Sequence, residues 1–138
     1  MKAGPTRREN ETRLFRDLVA AAVAARRHAY APYSRFKVGA ALLTAQGRLY
    51  TGANVENASY GLSLCAERVA LAKAVSDGQV KFRALAVVAA QTGLTPCGAC
   101  RQVLAEFGDF PVICADARRP RRATVYRVSE LLPHAFQL

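Results

Sequence analysis

The chain has 138 residues, of which 51% are hydrophobic, and this is typical of one compact domain rather than two. Its formal net charge is +10, but the arginines are scattered along the sequence, so the charge permits an acidic partner without requiring one. No run approaches the roughly 18 apolar residues of a membrane-spanning helix, so no membrane partner is predicted.

Cysteine usage indicates the cellular compartment. The chain has four cysteines, and two of them form the pair Cys97 and Cys100 beside Pro96 and Gly98. Such a pair points to metal or redox chemistry rather than to a secreted disulfide framework. The apolar segment 18–25 lacks the small-residue cleavage pattern of a signal peptide. We therefore expect a cytoplasmic protein.

The N-terminal half predicts a tail, a helix and a hairpin. Residues 1–11 are polar and basic and predict a disordered tail, which leaves 12–138 as a single folded domain. Apolar residues recur at helical spacing over 12–28. Segments 36–43 and 49–55 predict two strands that are joined near Gly47.

The C-terminal half alternates helices and strands. Residues 65–75 predict a helix that is closed by Asp77 and Gly78, and the apolar run 84–90 predicts a strand buried on both faces. A helix through Phe107 follows Pro96, then strands at 111–115 and 123–127, and a short helix from Ser129. This order predicts an α/β fold, a three-layer α/β/α sandwich with a mixed five-stranded sheet.

Cys65, Cys97 and Cys100 are candidate ligands of one zinc ion. Each lies at the start of a predicted helix, where free backbone N–H groups and the helix dipole stabilise a thiolate. Three protein ligands leave the fourth tetrahedral position open, which is the arrangement of a catalytic zinc. A water molecule bound there has its pKa lowered to about 7, so that hydroxide is available at neutral pH.

Two charged residues follow Cys65 closely. The Glu67 carboxylate can lie beside the metal and act first as a base and then as an acid. Arg68 can donate a hydrogen bond to a ligand sulfur and draw charge from a three-thiolate centre. The alternatives are an ordinary first-turn glutamate and a surface salt bridge. The adjacent cysteines favour the functional interpretation.

The segments Cys65-Ala66-Glu67 and Pro96-Cys97-Gly98-Ala99-Cys100 resemble the signature of the zinc-dependent cytidine deaminases. The resemblance extends over about 14–136 and is to the small homotetrameric members in particular. It implies one Zn²⁺ per chain on the three cysteines, with Glu67 as the proton shuttle. It further implies attack of zinc-bound hydroxide on C4 of cytidine, and of deoxycytidine, to give the uridine product and ammonia in pyrimidine salvage.

The resemblance also implies a set of nucleoside contacts. The backbone of Ala66 would read the pyrimidine carbonyl, Asn54 and Glu56 would hold the ribose 3′-hydroxyl, and Phe36 would line the pocket. An amide and a carboxylate that stand two residues apart at a strand end can share a hydroxyl. Without the resemblance, a polar strand end and a core phenylalanine remain open interpretations.

Further roles follow from the family pattern outside the metal motif. Phe136 is similar to the C-terminal phenylalanine that covers the base in a neighbouring subunit, and Ala58 and Tyr60 would also reach across a subunit boundary. These roles imply a homotetramer with shared sites. Gln102 is expected to support the zinc ligands, and Cys114 is interpreted as a small hydrophobic residue of an apolar strand.

Other functions remain open on the sequence. A thioredoxin-like redox protein would explain Cys97 and Cys100 but leaves Cys65 unused. A structural zinc module would need a fourth ligand, with Cys114 as the remaining cysteine. A blasticidin-type or a polynucleotide deaminase would share the metal motif. Glu56 favours a free nucleoside, and no aromatic-rich platform for stacked bases is evident, so nucleic acid is not the expected substrate.

Overall fold

The protein forms one five-stranded mixed sheet with helices on both faces. The computed structural model describes Met1 and residues 3–138. The strands are β1 (Val38–Thr44), β2 (Leu49–Ala53), β3 (Phe82–Ala89), β4 (Pro111–Asp116) and β5 (Ala123–Arg127). The helices are α1 (Arg7–Arg26), α2 (Ala66–Ser76), α3 (Gly98–Ala105) and α4 (Val128–Leu131), with a 3₁₀ turn at Tyr60–Leu62.

The strand order is β2-β1-β3-β4-β5. Strand β1 runs antiparallel to both β2 and β3, β3 and β4 are parallel, and β5 returns antiparallel to β4. The predicted hairpin turns at Gly47, whose φ of 90° is in the left-handed region that favours glycine. The prediction of a mixed five-stranded α/β/α sandwich is confirmed.

Helix α1 begins five residues earlier than predicted, at Arg7 rather than at residue 12. A capping box explains the early start: the Thr6 N–H donates to the Glu9 carboxylate at 2.6 Å, and the Glu9 N–H donates to Thr6 Oγ1. The predicted disordered tail at 1–11 is therefore wrong from Arg7 onward. Lys2, which also belongs to that predicted tail, lies outside the described residues.

The sheet separates two hydrophobic clusters. On one face, α1 buries Leu18, Val19 and Ala22 against strand residues such as Ala86 and Ile113. On the other face, helices α2, α3 and α4 cover the second cluster. Its buried members include Leu42, Ala70, Leu71, Leu85, Val87, Leu104, Phe110, Val112 and Leu131. Burial on both faces accounts for the continuous apolar runs of β3 and β4. Cys114 lies in β4 as predicted and is 5% exposed.

Glycines in β1 and β2 allow the helices to lie very close to the sheet. A Cβ on Gly52 would lie 2.4 Å from the carbonyl oxygen of Ala66 and 2.6 Å from the backbone nitrogen of Ala70, both in α2. A Cβ on Gly39 would lie 2.0 Å from the carbonyl oxygen of Ala22 in α1. Glycine is therefore the residue that these two helix–sheet contacts require.

No helix in the described part of the chain combines the length and the apolar composition needed to cross a bilayer.

Candidate active site

Two helix N-termini present the candidate metal ligands. Cys65 is the N-cap of α2 and Cys97 is the N-cap of α3, both with extended backbone dihedrals. Neither side chain forms a capping hydrogen bond, so both sulfurs are free to bind a metal at the positive end of a helix. Cys100 is the third residue of α3 and is fully buried.

The three sulfurs fit one tetrahedral zinc ion. All of them lie within 4.8 Å of one another, and the distance between Cys65 Sγ and Cys97 Sγ is 3.8 Å. Two sulfurs bound at about 2.3 Å in a tetrahedron lie about 3.8 Å apart. Cys114 is not a member of this group of described residues, which removes the fourth ligand that a structural zinc module would need.

Glu67 lies beside the sulfurs. Its Oε2 atom is 3.8 Å from Cys100 Sγ, and the residue is 5% exposed. Burial raises the pKa of the Glu67 carboxyl, because the charged form loses its hydration. A carboxyl with a raised pKa accepts a proton more readily, which suits a group that takes up and returns protons.

Arg68 contacts the sulfur cluster from α2. Its Nη2 donates to Cys65 Sγ at 3.5 Å. A hydrogen bond from the Cys100 thiol, and then one from Arg68, lowers the pKa of Cys65 to about 5. The pKa of Cys100 is raised, because its thiol is a donor to Cys65 and is buried. One sulfur of the cluster is thus a ready thiolate at neutral pH.

A cavity of about 620 Å³ opens onto the cluster. Its lining includes Cys65, Cys97, Glu67 and Arg68. Four of the residues predicted to contact a nucleoside also line it, namely Phe36, Asn54, Glu56 and Tyr60. Phe36 is 38% exposed, so it forms a cavity wall rather than a core position. The structure therefore brings most of the predicted site residues around one space.

Asn54 and Glu56 have intrachain partners that the sequence does not reveal. Asn54 Oδ1 accepts from the Val38 N–H at 2.8 Å, and its Nδ2 donates to the Phe36 carbonyl at 2.7 Å. Glu56 accepts from the Tyr33 N–H at 2.9 Å and from both the N–H and the hydroxyl of Ser34. Asn54 keeps one amide hydrogen, and Glu56 keeps one lone-pair direction, for a ligand.

The other predicted residues, which include the buried Cys100, do not line the cavity. Ala58 and Phe136 are not among the lining residues, and Phe136 is 71% exposed. Ala66 is buried as the first residue of α2, where its N–H has no intrahelical partner. Gln102 Nε2 donates to the Phe136 carbonyl at 3.2 Å, so its contact is with the C-terminal segment rather than with a sulfur.

Sequence reasoning missed several lining residues, namely Tyr33, Ser34, Ser63, Leu94 and Thr95. Isolated bridges from Val55 to Tyr30 and to Leu64 bring their loops together. The turn composition at Pro32 and Ser34 marked a loop but not its contact with Glu56. No sequence signal identified Ser63 or Leu94.

Comparison with known proteins places these residues in a family. A model of the cytidine and deoxycytidylate deaminase zinc-binding region matches residues 13–116. The chain is 52% identical over 122 residues to a cytidine deaminase of Sporosarcina psychrophila, covering 86% of this chain and 88% of that one. It is 50% identical over 111 residues to the cytidine deaminase of Mycobacterium tuberculosis, covering 80% of each chain.

A solved structure agrees with the fold. The crystal structure of a cytidine deaminase from Burkholderia pseudomallei superimposes with a TM-score of 0.83 at 50% identity, covering 87% of this chain and 97% of that one.

Proposed function

Because the chain belongs to the cytidine and deoxycytidylate deaminase family, we propose that it hydrolyses cytidine, and deoxycytidine, to the uridine product and ammonia. The observation that carries this proposal is the group of three sulfurs, two of which line the cavity while the third is buried behind them, with a buried carboxyl beside the group. A redox pair of Cys97 and Cys100 would leave Cys65 and Glu67 without a role.

The chain's own residues account for metal binding and proton transfer. Cys65, Cys97 and Cys100 would hold the zinc ion, and Arg68 would offset part of the negative charge of the thiolates. When bound, zinc supplies the Lewis acidity that activates a water molecule. As the C4–O bond forms, Glu67 would take one proton from the water and pass it to the ring nitrogen N3. It would then move the proton of the new C4 hydroxyl to the amino nitrogen, so that the C4–N bond breaks, ammonia leaves and C4 becomes a carbonyl.

Substrate orientation follows from the cavity wall. The pyrimidine ring packs against Phe36 in the cavity wall. The N–H of Ala66, which lies behind the wall at the start of α2 and has no intrahelical acceptor, would donate to the pyrimidine carbonyl. The remaining donor of Asn54 and the remaining acceptor site of Glu56 share the ribose 3′-hydroxyl. This arrangement directs C4 toward Glu67 and the sulfurs.

The direct test is ultraviolet-monitored turnover with and without a chelator. We expect the purified protein to convert cytidine, to lose turnover when zinc is stripped, and to regain it with added Zn²⁺. Parallel reactions with a blasticidin-type nucleoside and with a single-stranded cytosine oligonucleotide separate the alternatives within the family. Faster turnover of either compound than of cytidine would contradict the proposed substrate.

Asn54→Ala should weaken cytidine binding more than cytosine binding. The variant loses the donor to the sugar and also the two hydrogen bonds that place Phe36 and Val38. We expect a loss of about tenfold for cytidine, because a hydrogen bond to a buried polar group contributes about 1.5 kcal/mol. The measurement is calorimetric binding of cytidine and of free cytosine to proteins that also carry Glu67→Gln, so that no turnover occurs.

Asn54→Asp is the matched control, because it keeps the oxygen that accepts from Val38 and removes the amide donor. If Asn54→Ala weakened cytidine and cytosine equally, the ribose role of Asn54 would be wrong.

We further propose that the active unit is a homotetramer in which Phe136, Tyr60 and Ala58 complete a neighbouring site. Phe136 is 71% exposed, and Tyr60 is 77% exposed although it also lines the cavity of its own subunit, so both have surface left for a contact with a neighbouring subunit. A largely apolar groove along α2, which includes Leu64 and Val69, supports subunit packing. Light scattering after gel filtration tests the assembly, and a monomer would contradict it.

Removal of residues 136–138 should raise KM for cytidine about tenfold and leave zinc at about one per chain. The physical reason is the loss of an aromatic side chain that covers the base, since such stacking contributes about 1–3 kcal/mol. Metal analysis and steady-state kinetics measure the two effects, and removal of Leu138 alone is the control.

Mixed oligomers test whether the site is shared. Chains with Glu67→Gln have an intact C-terminal tail but cannot transfer protons. Chains that lack residues 136–138 have Glu67 but no tail. When the two chains are co-expressed, part of the measured activity should show the low KM for cytidine of the wild-type protein. If the mixture behaves as the sum of its separate components, Phe136 does not act in a neighbouring subunit.

A further inference from the structure

Arg101 connects two parts of the chain that meet beside the metal ligands. Its Nε donates to the Pro96 carbonyl at 2.7 Å, and its Nη2 donates to Thr95 Oγ1 at 2.8 Å. Its Nη1 donates to the Leu131 carbonyl at 2.7 Å, at the end of α4. The first two contacts hold the bend that leads directly into Cys97, and the third holds the start of the C-terminal segment, residues 131–138.

The acceptors of Arg101 are neutral oxygens. The guanidinium is half-buried, and none of its hydrogen-bond acceptors in the described chain is a carboxylate. A surface ion pair therefore does not explain this side chain. A planar fork with donors on three nitrogens can reach two segments at once, which a lysine ammonium on a flexible stem does not reproduce.

The next residue holds the same segment at a second point. Gln102 Nε2 donates to the Phe136 carbonyl at 3.2 Å. The Phe136 side chain itself is 71% exposed, so its own burial does not fix its position within this subunit. His134, with a φ of 54°, turns the chain between the two held carbonyls. Consecutive residues of α3, the helix that carries Cys100, thus hold the backbone on both sides of this turn.

We propose that Arg101 is a positioning residue that joins the bend before Cys97 to the C-terminal segment, so that the metal loop and Phe136 are held as one unit. Its effect on catalysis rests on the proposed function, because Phe136 matters to turnover only if it contacts the substrate. Its effect on the segment itself does not depend on that assignment.

The test is Arg101→Lys, which keeps the charge and removes the fork, with Arg121→Lys as the matched control on an exposed loop. Hydrogen exchange is measured on the full-length zinc-loaded proteins. We expect the amide of Leu132, which donates to the Val128 carbonyl at 3.0 Å, to exchange at least about fivefold faster in Arg101→Lys and unchanged in Arg121→Lys, because the fork no longer holds the adjoining Leu131 carbonyl. Unchanged exchange in Arg101→Lys would overturn the proposal.

Kinetics provide a second readout that a general loss of stability would not produce. Arg101→Lys should raise KM for cytidine about tenfold, with kcat within about twofold and zinc still near one per chain. In protein that lacks residues 136–138, the same substitution should change KM by less than about twofold. Equal increases in both backgrounds, or loss of zinc, would show that Arg101 does not act through the tail.

Gln102→Ala keeps the test decisive if Arg101→Lys does not fold, since it removes only the contact with Phe136. It should accelerate chymotryptic cleavage after Phe136 in the zinc-loaded protein, and an unchanged cleavage rate would overturn the proposal. If the wild-type protein does not turn over cytidine, the proposed function fails while the exchange comparison still decides the role of Arg101.

Discussion

Glu67→Gln is expected to retain about one zinc per chain and to lose turnover of cytidine by about 10³-fold. Glutamine keeps the size and polarity of the side chain, so the buried space beside Cys100 stays filled. It cannot take a proton from water or deliver one to the amino nitrogen. General acid–base catalysis contributes about 10²–10⁴-fold, and one carboxyl here serves both transfers. Metal analysis together with kcat measures the two quantities.

Glu106→Gln is the matched control for this result. Glu106 follows α3, is exposed and is not among the residues of the cavity wall, so the same chemical change should leave kcat near the wild-type value. Substantial activity of Glu67→Gln would refute the role of Glu67 as the proton carrier, even though the chain belongs to the deaminase family.

Gly52→Ala is expected to destabilise the fold and the metal site together. The added Cβ would lie 2.4 Å from the Ala66 carbonyl oxygen and 2.6 Å from the Ala70 nitrogen, and both are backbone atoms that cannot rotate away. Because α2 must move off the sheet, Cys65 and Glu67 at its start move with it. Overpacking of this kind costs about 3 kcal/mol. The corresponding fall in Tm is of the order of 10 °C for a chain of this length.

Differential scanning calorimetry and zinc titration measure both consequences. Gly4→Ala is the control, because nothing lies within 4 Å of the added Cβ there. If Gly52→Ala kept the Tm and the zinc affinity of the wild-type protein, the prediction would be wrong, because the contact between α2 and β2 would then relax without effect on the site.

The metal site was predictable because its residues lie in two short contiguous motifs. A cysteine at a helix N-cap, a second one at the third helical residue and a glutamate in the first turn are positions that a sequence reveals. The apolar runs of β3 and β4 similarly indicated buried strands, and β5 has the predicted bounds.

Other features depend on contacts between distant segments. The start of α1 was not predicted, because its first residues are charged and show no apolar periodicity. The capping box between Thr6 and Glu9 nevertheless starts the helix at Arg7. Glu56 looks like a free ligand group in the sequence, yet Tyr33 and Ser34 bind it, because the bridge between Tyr30 and Val55 brings the two loops together. No local pattern encodes such a bridge.

The contact of Gln102 illustrates the same limit. Its place in the motif after Cys100 indicated support of the zinc ligands, whereas its amide donates to a carbonyl near the C-terminus. Helical periodicity predicts which side of α3 a residue is on, but not which distant segment packs there.

The position of Cys114 on β4, an inner strand of the sheet, gives this protein a thiol whose reactivity differs from that of the other cysteines. Burial raises the pKa of Cys114 to about 12, and β3 and β5 flank its strand on either side. Alkylating reagents attack the thiolate, so this sulfur stays inert while the sheet is intact. Of the other three, Cys65 and Cys97 are accessible in the metal-free fold, whereas Cys100 is buried. The number of labelled cysteines therefore distinguishes metal-free folded chains from unfolded ones in a single sample.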